Sequence, residues 1–394
     1  MKRHSWLLPG GVNVFQAVKA MRAQAKADGK DLYDLSTGQP KGAALPSARI
    51  RASELVLHEE ECWHEYQDNG FMPFPDWAQR FVAAHTKVSG EVDCLPTPGT
   101  KPMLKNLIIA CGIRSQLAKV YTMTDPGYAV PATWCGSGYL NVDHQALTTN
   151  PGNAFIPEAL EISQIPEGSL LMLNFPHNPS GQDVGGSFWH EICRICSERG
   201  IRLVNDAAYS LLSYADSVTL TEIAGLYPDL ERIELFSVSK EIGNGTGWRV
   251  GAAVGTPEFI DDFRRIKGND DSGFVASMAA AALHALEDDR ESVFAACHQY
   301  QKRTEEVVYP ILTAHGMRPA VKPAAGFFSL WELPRRAFGQ EITSARQFNE
   351  LMIGRTGVVG VHFEPGYIRY AVCGPVEDWV KPITDAFEQA EVSY

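Results

Sequence analysis

Between residues 119 and 254 the chain, without any internal sequence repeat, alternates short β-branched or leucine-rich runs with stretches of helical periodicity. The runs 119–123, 169–174, 201–205, 232–236 and 250–254 read as strands, and helices are predicted over 101–114, 188–199, 257–267 and 274–286. Strands this apolar need cover on both faces, and the interleaved helices supply it. The fold class expected is α/β, with a mostly parallel central sheet covered by helices. After Asp288 the pattern changes to a helix over 290–315, a strand over 327–333, a helix over 345–355 and a strand over 367–372, which reads as a smaller α+β domain. A length of 394 residues is more than one core usually organises, so two domains are expected.

The net charge of −12 excludes nucleic acid as the main partner, because a binding face needs a basic excess to displace phosphate counterions. No apolar run reaches membrane-spanning length, and Trp6-Leu7-Leu8-Pro9 is too short for a signal peptide, so a cytoplasmic location is expected. The eight cysteines are scattered and read as buried thiols. Cys193 and Cys196 form a C-x-x-C inside the helix predicted over 188–199, with no second pair to complete a zinc site, so helix packing is expected there and no metal site.

Three motifs lie just past predicted strands: Asn178-Pro179-Ser180-Gly181, Asp206-Ala207-Ala208-Tyr209 and Ser237-Val238-Ser239-Lys240. Ligands of such sheets bind beyond the carboxyl ends of the strands, so one site can gather all three. Together they offer an amine that forms an imine, a carboxylate that keeps a pyridinium nitrogen protonated, and an amide and a phenol for a ring oxygen. That set fits pyridoxal 5'-phosphate (PLP). Taken singly, Lys240 reads as a surface lysine and Asp206 as a helix cap. The spacing favours the joint reading: Asn178 precedes Asp206 by 28 residues, so one strand-helix-strand unit puts both on the same sheet edge. Thr97-Pro98-Gly99-Thr100-Lys101-Pro102 reads as a glycine turn feeding a helix, with the N–H groups of Gly99, Thr100 and Lys101 free to meet a phosphate.

The order Asn-Pro-Ser-Gly, Asp-x-x-Tyr, Ser-x-Ser-Lys, Gly-Trp-Arg and a late Arg369 resembles the class I/II aminotransferases of PLP fold type I, from about Asp34 to Arg369. The resemblance implies a large PLP-binding domain over 41–288 and a discontinuous small domain from 1–40 and 289–394, with the amphipathic stretch 12–27 packed on the C-terminal part. It implies that Lys240 holds the cofactor as an aldimine and then moves the proton, and that Asp206 faces the ring nitrogen. Asn178 and Tyr209 would meet the ring oxygen. Ser237, Ser239 and Arg249 would join Gly99, Thr100 and Lys101 around the phosphate. Tyr128 is read either as the ring-stacking residue or as a turn residue packed on the core. Arg369 would fork the substrate α-carboxylate beside Gly38 and Asn178. Tyr66 would reach the phosphate of a partner subunit's cofactor, so a homodimer with shared sites is expected.

The activity implied is transfer of an amino group from an L-amino acid to a 2-oxo acid by a ping-pong cycle. Elimination, cyclisation, decarboxylation or oxidation on the same lysine is the alternative, and a non-catalytic PLP-binding regulator is a third reading. Three departures from the family pattern stand out: Ser180 replaces a threonine, nine positions separate Lys240 from Arg249 with Gly243 to Gly247 looping out, and 358–365 makes a short pocket loop. Asp270 and Asp271 are read either as a solvated acidic loop or as groups that, in the partner subunit's site, meet a substrate's distal amino or guanidino group.

Overall fold

The computed structural model describes residues 14–113 and 115–394. Seven strands form the central sheet: β1 (Asp93–Thr97), β2 (Val120–Thr122), β3 (His144–Ala146), β4 (Leu170–Leu173), β5 (Arg202–Asp206), β6 (Arg232–Ser237) and β7 (Gly251–Gly255). Their order is β1-β7-β6-β5-β4-β2-β3, and β7 alone runs antiparallel to its neighbours. The predicted strands are therefore present, within a residue or two of their expected ends. Sequence reasoning missed the two edges. β1 carries Pro96, which cannot donate to a ladder and is tolerated at an edge, and β3 is three residues, none of them buried.

Alternate residues explain how the sheet is covered. Leu170 and Met172 of β4, with Val204, Ile233 and Leu235, pack against the helices Lys101–Ala110 and Pro257–Lys267. Leu171, Leu173 and Leu203 face the other way, onto Trp189, Ile192, Cys193 and Cys196 of the helix Gly186–Arg199. Both cysteines are fully buried there, as helix packing requires. The helix predicted over 101–114 ends at Ala110, and Arg114 lies outside the described residues.

A second sheet of β8 (Phe328–Glu332), β9 (Val361–Phe363) and β10 (Tyr367–Ala371) is antiparallel, in the order β9-β10-β8. The helix Val14–Ala27 packs on β9 and on the helix Ala345–Thr356, and Tyr33–Asp34 pairs in parallel with Val358–Val359. Residues 12 and 13, where that first helix was expected to begin, lie outside the described residues, as do Trp6 to Pro9. The single helix expected over 290–315 is instead a helix Arg290–Lys302, a π-helical segment Arg303–Val308 and a helix Tyr309–Ala314. Pro310 has no amide to continue the ladder, so the turn before it widens. The stretch 358–365 is two short strands and a turn, because the β-branched and aromatic residues Val358, Val359, Val361 and Phe363 suit buried pairing better than a loop.

Candidate active site

Strand order and register assemble the site. β4, β5 and β6 are parallel, so the segments leaving them emerge on one edge of the sheet: Asn178 after β4, Asp206 at the end of β5, and the turn Val238–Lys240 after β6. Gly251 pairs with Thr97 on one side and Ser237 on the other, which sets the Gly99 turn and Arg249 beside Ser237. Residues from all these segments line one cavity of about 930 Å³, among them Thr100, Lys101, Tyr128, Asn178, Asp206, Tyr209, Ser237, Ser239, Lys240, Arg249 and Arg369. Gly38 lines it as well, and a Cβ there would lie 2.9 Å from the Phe328 ring.

Asp206 is buried, and its carboxyl interacts with Lys240, Thr100 and the Ala208 N–H, yet its Oδ1 has no hydrogen-bond partner among the described residues. Burial pushes its carboxyl up to about 6, against the opposing pull of Lys240. Burial lowers the Lys240 amine below the ordinary lysine value, Asp206 raises it, and Arg249 lowers it further. Lys240 Nζ lies 5.3 Å from the centre of the Tyr209 ring. The phenols of Tyr128 and Tyr209 are both pushed up by burial and remain protonated donors.

Gly99 has φ +80°, and a Cβ on it would meet Arg249 Nη2 at 2.5 Å. Only glycine lets the guanidinium close over this turn, where Arg249 donates to the carbonyls of Thr246 and Pro98 at 2.8 and 2.9 Å. The helix Lys101–Ala110 begins beside it with Thr100 at its N-cap, so its free N–H groups and the arginine converge. The Ser237 and Ser239 hydroxyls share a hydrogen bond of 2.8 Å on the same cavity wall.

Arg369 is in β10 and fully buried. Its Nη1 donates to Asn178 Oδ1 at 2.8 Å, its Nη2 donates to the Ser36 carbonyl at 2.7 Å, and the guanidinium lies 4.2 Å from the centre of the Phe328 ring. Burial pulls it down to about 10, so it remains a cation at neutral pH. This hydrogen bond joins the second sheet to the loop after β4. Arg369 thus brings the late arginine and the Asn-Pro motif into one cavity.

Sequence reasoning missed Asn174, whose amide donates to the Asp206 carbonyl at 2.7 Å and accepts from the Asn178 N–H at 3.1 Å. Its position at the exit of β4 is the signal that could have found it. It also missed Lys19, Arg22 and Lys26, which line the cavity from the helix Val14–Ala27. Tyr66 does not line the cavity of its own chain and is 81% exposed. Asp270 and Asp271 do not line the cavity of their own chain: Asp270 meets Lys105 at 2.6 Å and Asn106 at 3.0 Å, and Asp271 meets Lys267 at 2.8 Å. Asp270 is exposed and Asp271 half-buried, each beside a lysine.

The model of the family "aminotransferase class I and II" matches residues 30–381. The chain belongs to the class I and II aminotransferase family. It is 28% identical over 385 residues to an LL-diaminopimelate aminotransferase of Dehalococcoides mccartyi, covering 94% of each chain. Against the LL-diaminopimelate aminotransferase of Methanocaldococcus jannaschii it is 29% identical over 384 residues, covering 92% of this chain and 86% of that protein. The crystal structure of the aspartate aminotransferase from Rhizobium meliloti matches the fold with a TM-score of 0.82 at 19% identity, covering 100% of both chains. The protein is therefore an enzyme of amino-group transfer. Among the described residues, no helix is long and apolar enough to cross a membrane, and no cluster of His, Cys, Asp and Glu could hold a metal ion.

Proposed function

We propose that the cavity binds PLP and passes an amino group from an L-amino acid to a 2-oxo acid in two half-reactions at one site. The observation that carries this reading is the buried Asp206 Oδ1, without a hydrogen-bond partner among the described residues, in the cavity that also holds Lys240. A buried carboxylate oxygen left without a hydrogen bond is costly, and a pyridinium N–H would supply one. The remaining donors suit the rest of such a molecule. The Gly99 turn, Ser237, Ser239 and Arg249 would hold its phosphate, and Asn178 and Tyr209 its ring oxygen, with Tyr128 against the ring.

When bound, the pyridine ring supplies an electron sink for the pair left at the substrate Cα. The chain does the rest. Lys240 would attach the cofactor through Nζ, leave when the substrate amine replaces it, and carry the proton from Cα as a base with a lowered pKa. Asp206 holds its negative charge against the ring nitrogen. Arg369 would grip the α-carboxylate with its planar fork, steadied by Asn178 and Ser36. We also assign 41–288 to a large cofactor-binding domain and 1–40 with 289–394 to a small one, a division supported by the pairing of Tyr33–Asp34 with Val358–Val359.

A dicarboxylic compound fits one side of the exchange, because Lys19 and Lys26 line the cavity from a helix that carries no acidic residue, with Arg22 between them paired to Asp34 at 2.7 Å. The names of the relatives agree with this, since diaminopimelate bears a second carboxylate. A homodimer is supported by exposed apolar side chains on one stretch of chain: Ile50 at 61%, Leu57 at 79% and Met72 at 68%, with Tyr66 among them. The test is a half-reaction. Cofactor-loaded protein mixed with a dicarboxylic amino donor alone should release about one equivalent of 2-oxo acid per subunit and stop, and an added 2-oxo acid should restart it. Continuous turnover without an acceptor would instead mark another PLP reaction.

A further inference from the structure

Directly behind Lys240, on the side away from the cavity, lies a pair the chemistry above does not use. Glu241 follows the lysine and turns its carboxylate into the core, where it meets His85 Nε2 at 2.8 Å, with both side chains 0% exposed. His85 Nδ1 lies 2.7 Å from the Phe81 carbonyl. A carbonyl only accepts, so Nδ1 carries a proton, and the second proton of the pair is shared between Nε2 and the carboxylate. The imidazole lies between Phe81 and Phe236, at ring-centre distances of 4.6 and 5.1 Å. The other carboxylate oxygen accepts from Ser210 Oγ at 3.3 Å, and Ser210 is the neighbour of Tyr209. The Glu241 carbonyl accepts from the Cys297 thiol at 3.7 Å.

The pair thus ties together the end of the helix Trp77–Ala83, the lysine turn and the tyrosine segment. Burying two ionisable groups for stability alone is a poor bargain, since a hydrophobic pair of similar volume does as well. We propose that Glu241, held by His85, is a positioning residue that fixes Lys240 and Tyr209 relative to each other and sets a negative charge behind the lysine amine. This rests on the role given to Lys240 above.

Charges at both ends agree. Burial lowers the His85 imidazole, and the Glu241 charge and hydrogen bond with the Phe81 carbonyl more than reverse that, while Arg290 acts against them. The groups facing Lys240 are Asp206, Arg249, Glu241 and Cys373. Burial and Arg249 lower its amine, and Asp206, Glu241 and Cys373 raise it.

The experiment is competitive acetylation of Lys240 in cofactor-free protein as a function of pH, read by mass spectrometry, with thermal denaturation alongside. Because no cofactor is present, its outcome is independent of whether Lys240 links to PLP. Glu241→Gln should lower the Lys240 midpoint by ~0.5 pH unit or more, about threefold more neutral amine at a fixed pH below the midpoint. Should that variant fail to fold, His85→Gln gives a second reading, because it removes the 2.8 Å hydrogen bond that holds the Glu241 carboxylate in place and should move the Lys240 midpoint the same way. The double variant Glu241→Gln/His85→Gln should regain thermal stability and keep the lowered midpoint, and Glu241→Asp should return it toward the native value. A native midpoint in the double variant, or single variants that lose stability with the midpoint unmoved, would make the pair structural only and overturn the proposal.

Discussion

Replacing Arg369 separates substrate recognition from cofactor chemistry. Lysine at this position keeps the positive charge and loses the fork, so a carboxylate gripped by two parallel charge-assisted bonds keeps one. At about 1.5–3 kcal/mol per such bond, Arg369→Lys should lower kcat/KM toward amino acids about ten- to 150-fold. Arg369→Met removes both bonds and the charge, and the same arithmetic gives a loss of about 10²- to 10⁴-fold. The structure adds a second cost. Asn178 Oδ1 and the Ser36 carbonyl would lose donors now 2.8 and 2.7 Å away. Each buried acceptor left unsatisfied destabilises by about 1–3 kcal/mol, so both variants should melt earlier. The assay pairs steady-state kinetics on amino acids with the rate of a simple primary amine that lacks a carboxylate, and with cofactor content at saturating PLP. The amine rate and cofactor content should be near native in Arg369→Lys. If that variant instead loses the cofactor while kcat/KM for amino acids stays within about twofold, well short of a single lost bond, the guanidinium does not hold the substrate carboxylate.

Three further outcomes follow from the site geometry. Gly99→Ala forces a Cβ onto Arg249 at a φ of +80°, and strain of about 1–3 kcal/mol should weaken PLP binding about tenfold or more in equilibrium dialysis. The Asp206 carboxyl sits at about 6 in the free protein, so as pH falls through that value it takes up a proton and stops pairing with a ring cation. PLP affinity should therefore fall below about pH 6 more steeply in the native protein than in Asp206→Asn, and parallel profiles would remove Asp206 from the ring nitrogen. Lys240→Ala and Tyr66→Ala proteins, each inactive alone, should recover activity when subunits are exchanged, because a hybrid dimer contains one intact site. Equal mixing gives about a quarter of native activity if subunits pair at random, and no recovery would place Tyr66 outside the shared site.

The central sheet was legible because β4, β5 and β6 are buried on both faces and are built around apolar residues, an unbroken run in β4, Leu203-Val204 in β5, and Ile233, Leu235 and Phe236 in β6. Its edges were not: β1 holds a proline and β3 is short and half exposed, so neither has the pattern of a covered strand. The lysine, aspartate, asparagine and tyrosine could be found because each closely follows a readable strand. What sequence order could not give is proximity across long separations. Arg369 reaches Asn178 over 191 positions, and His85 reaches Glu241 over 156. No local period records either contact, and Glu241 in particular reads as an ordinary surface glutamate until its burial is seen. The acidic run at Asp270 and Asp271 did not reveal its partners: Lys267 sits one turn before Asp271, but Lys105 reaches Asp270 from a helix 165 positions away.

The most direct test of the account is the covalent address of the cofactor. Protein loaded with PLP, reduced with borohydride and digested should yield one pyridoxyl-bearing peptide, with the modification on Lys240. Lys240→Ala treated in the same way should bind PLP and give no modified peptide. Attachment at another lysine, Lys101 of the same cavity included, would contradict the assignment of Lys240 and with it the roles derived for Asp206 and Tyr209.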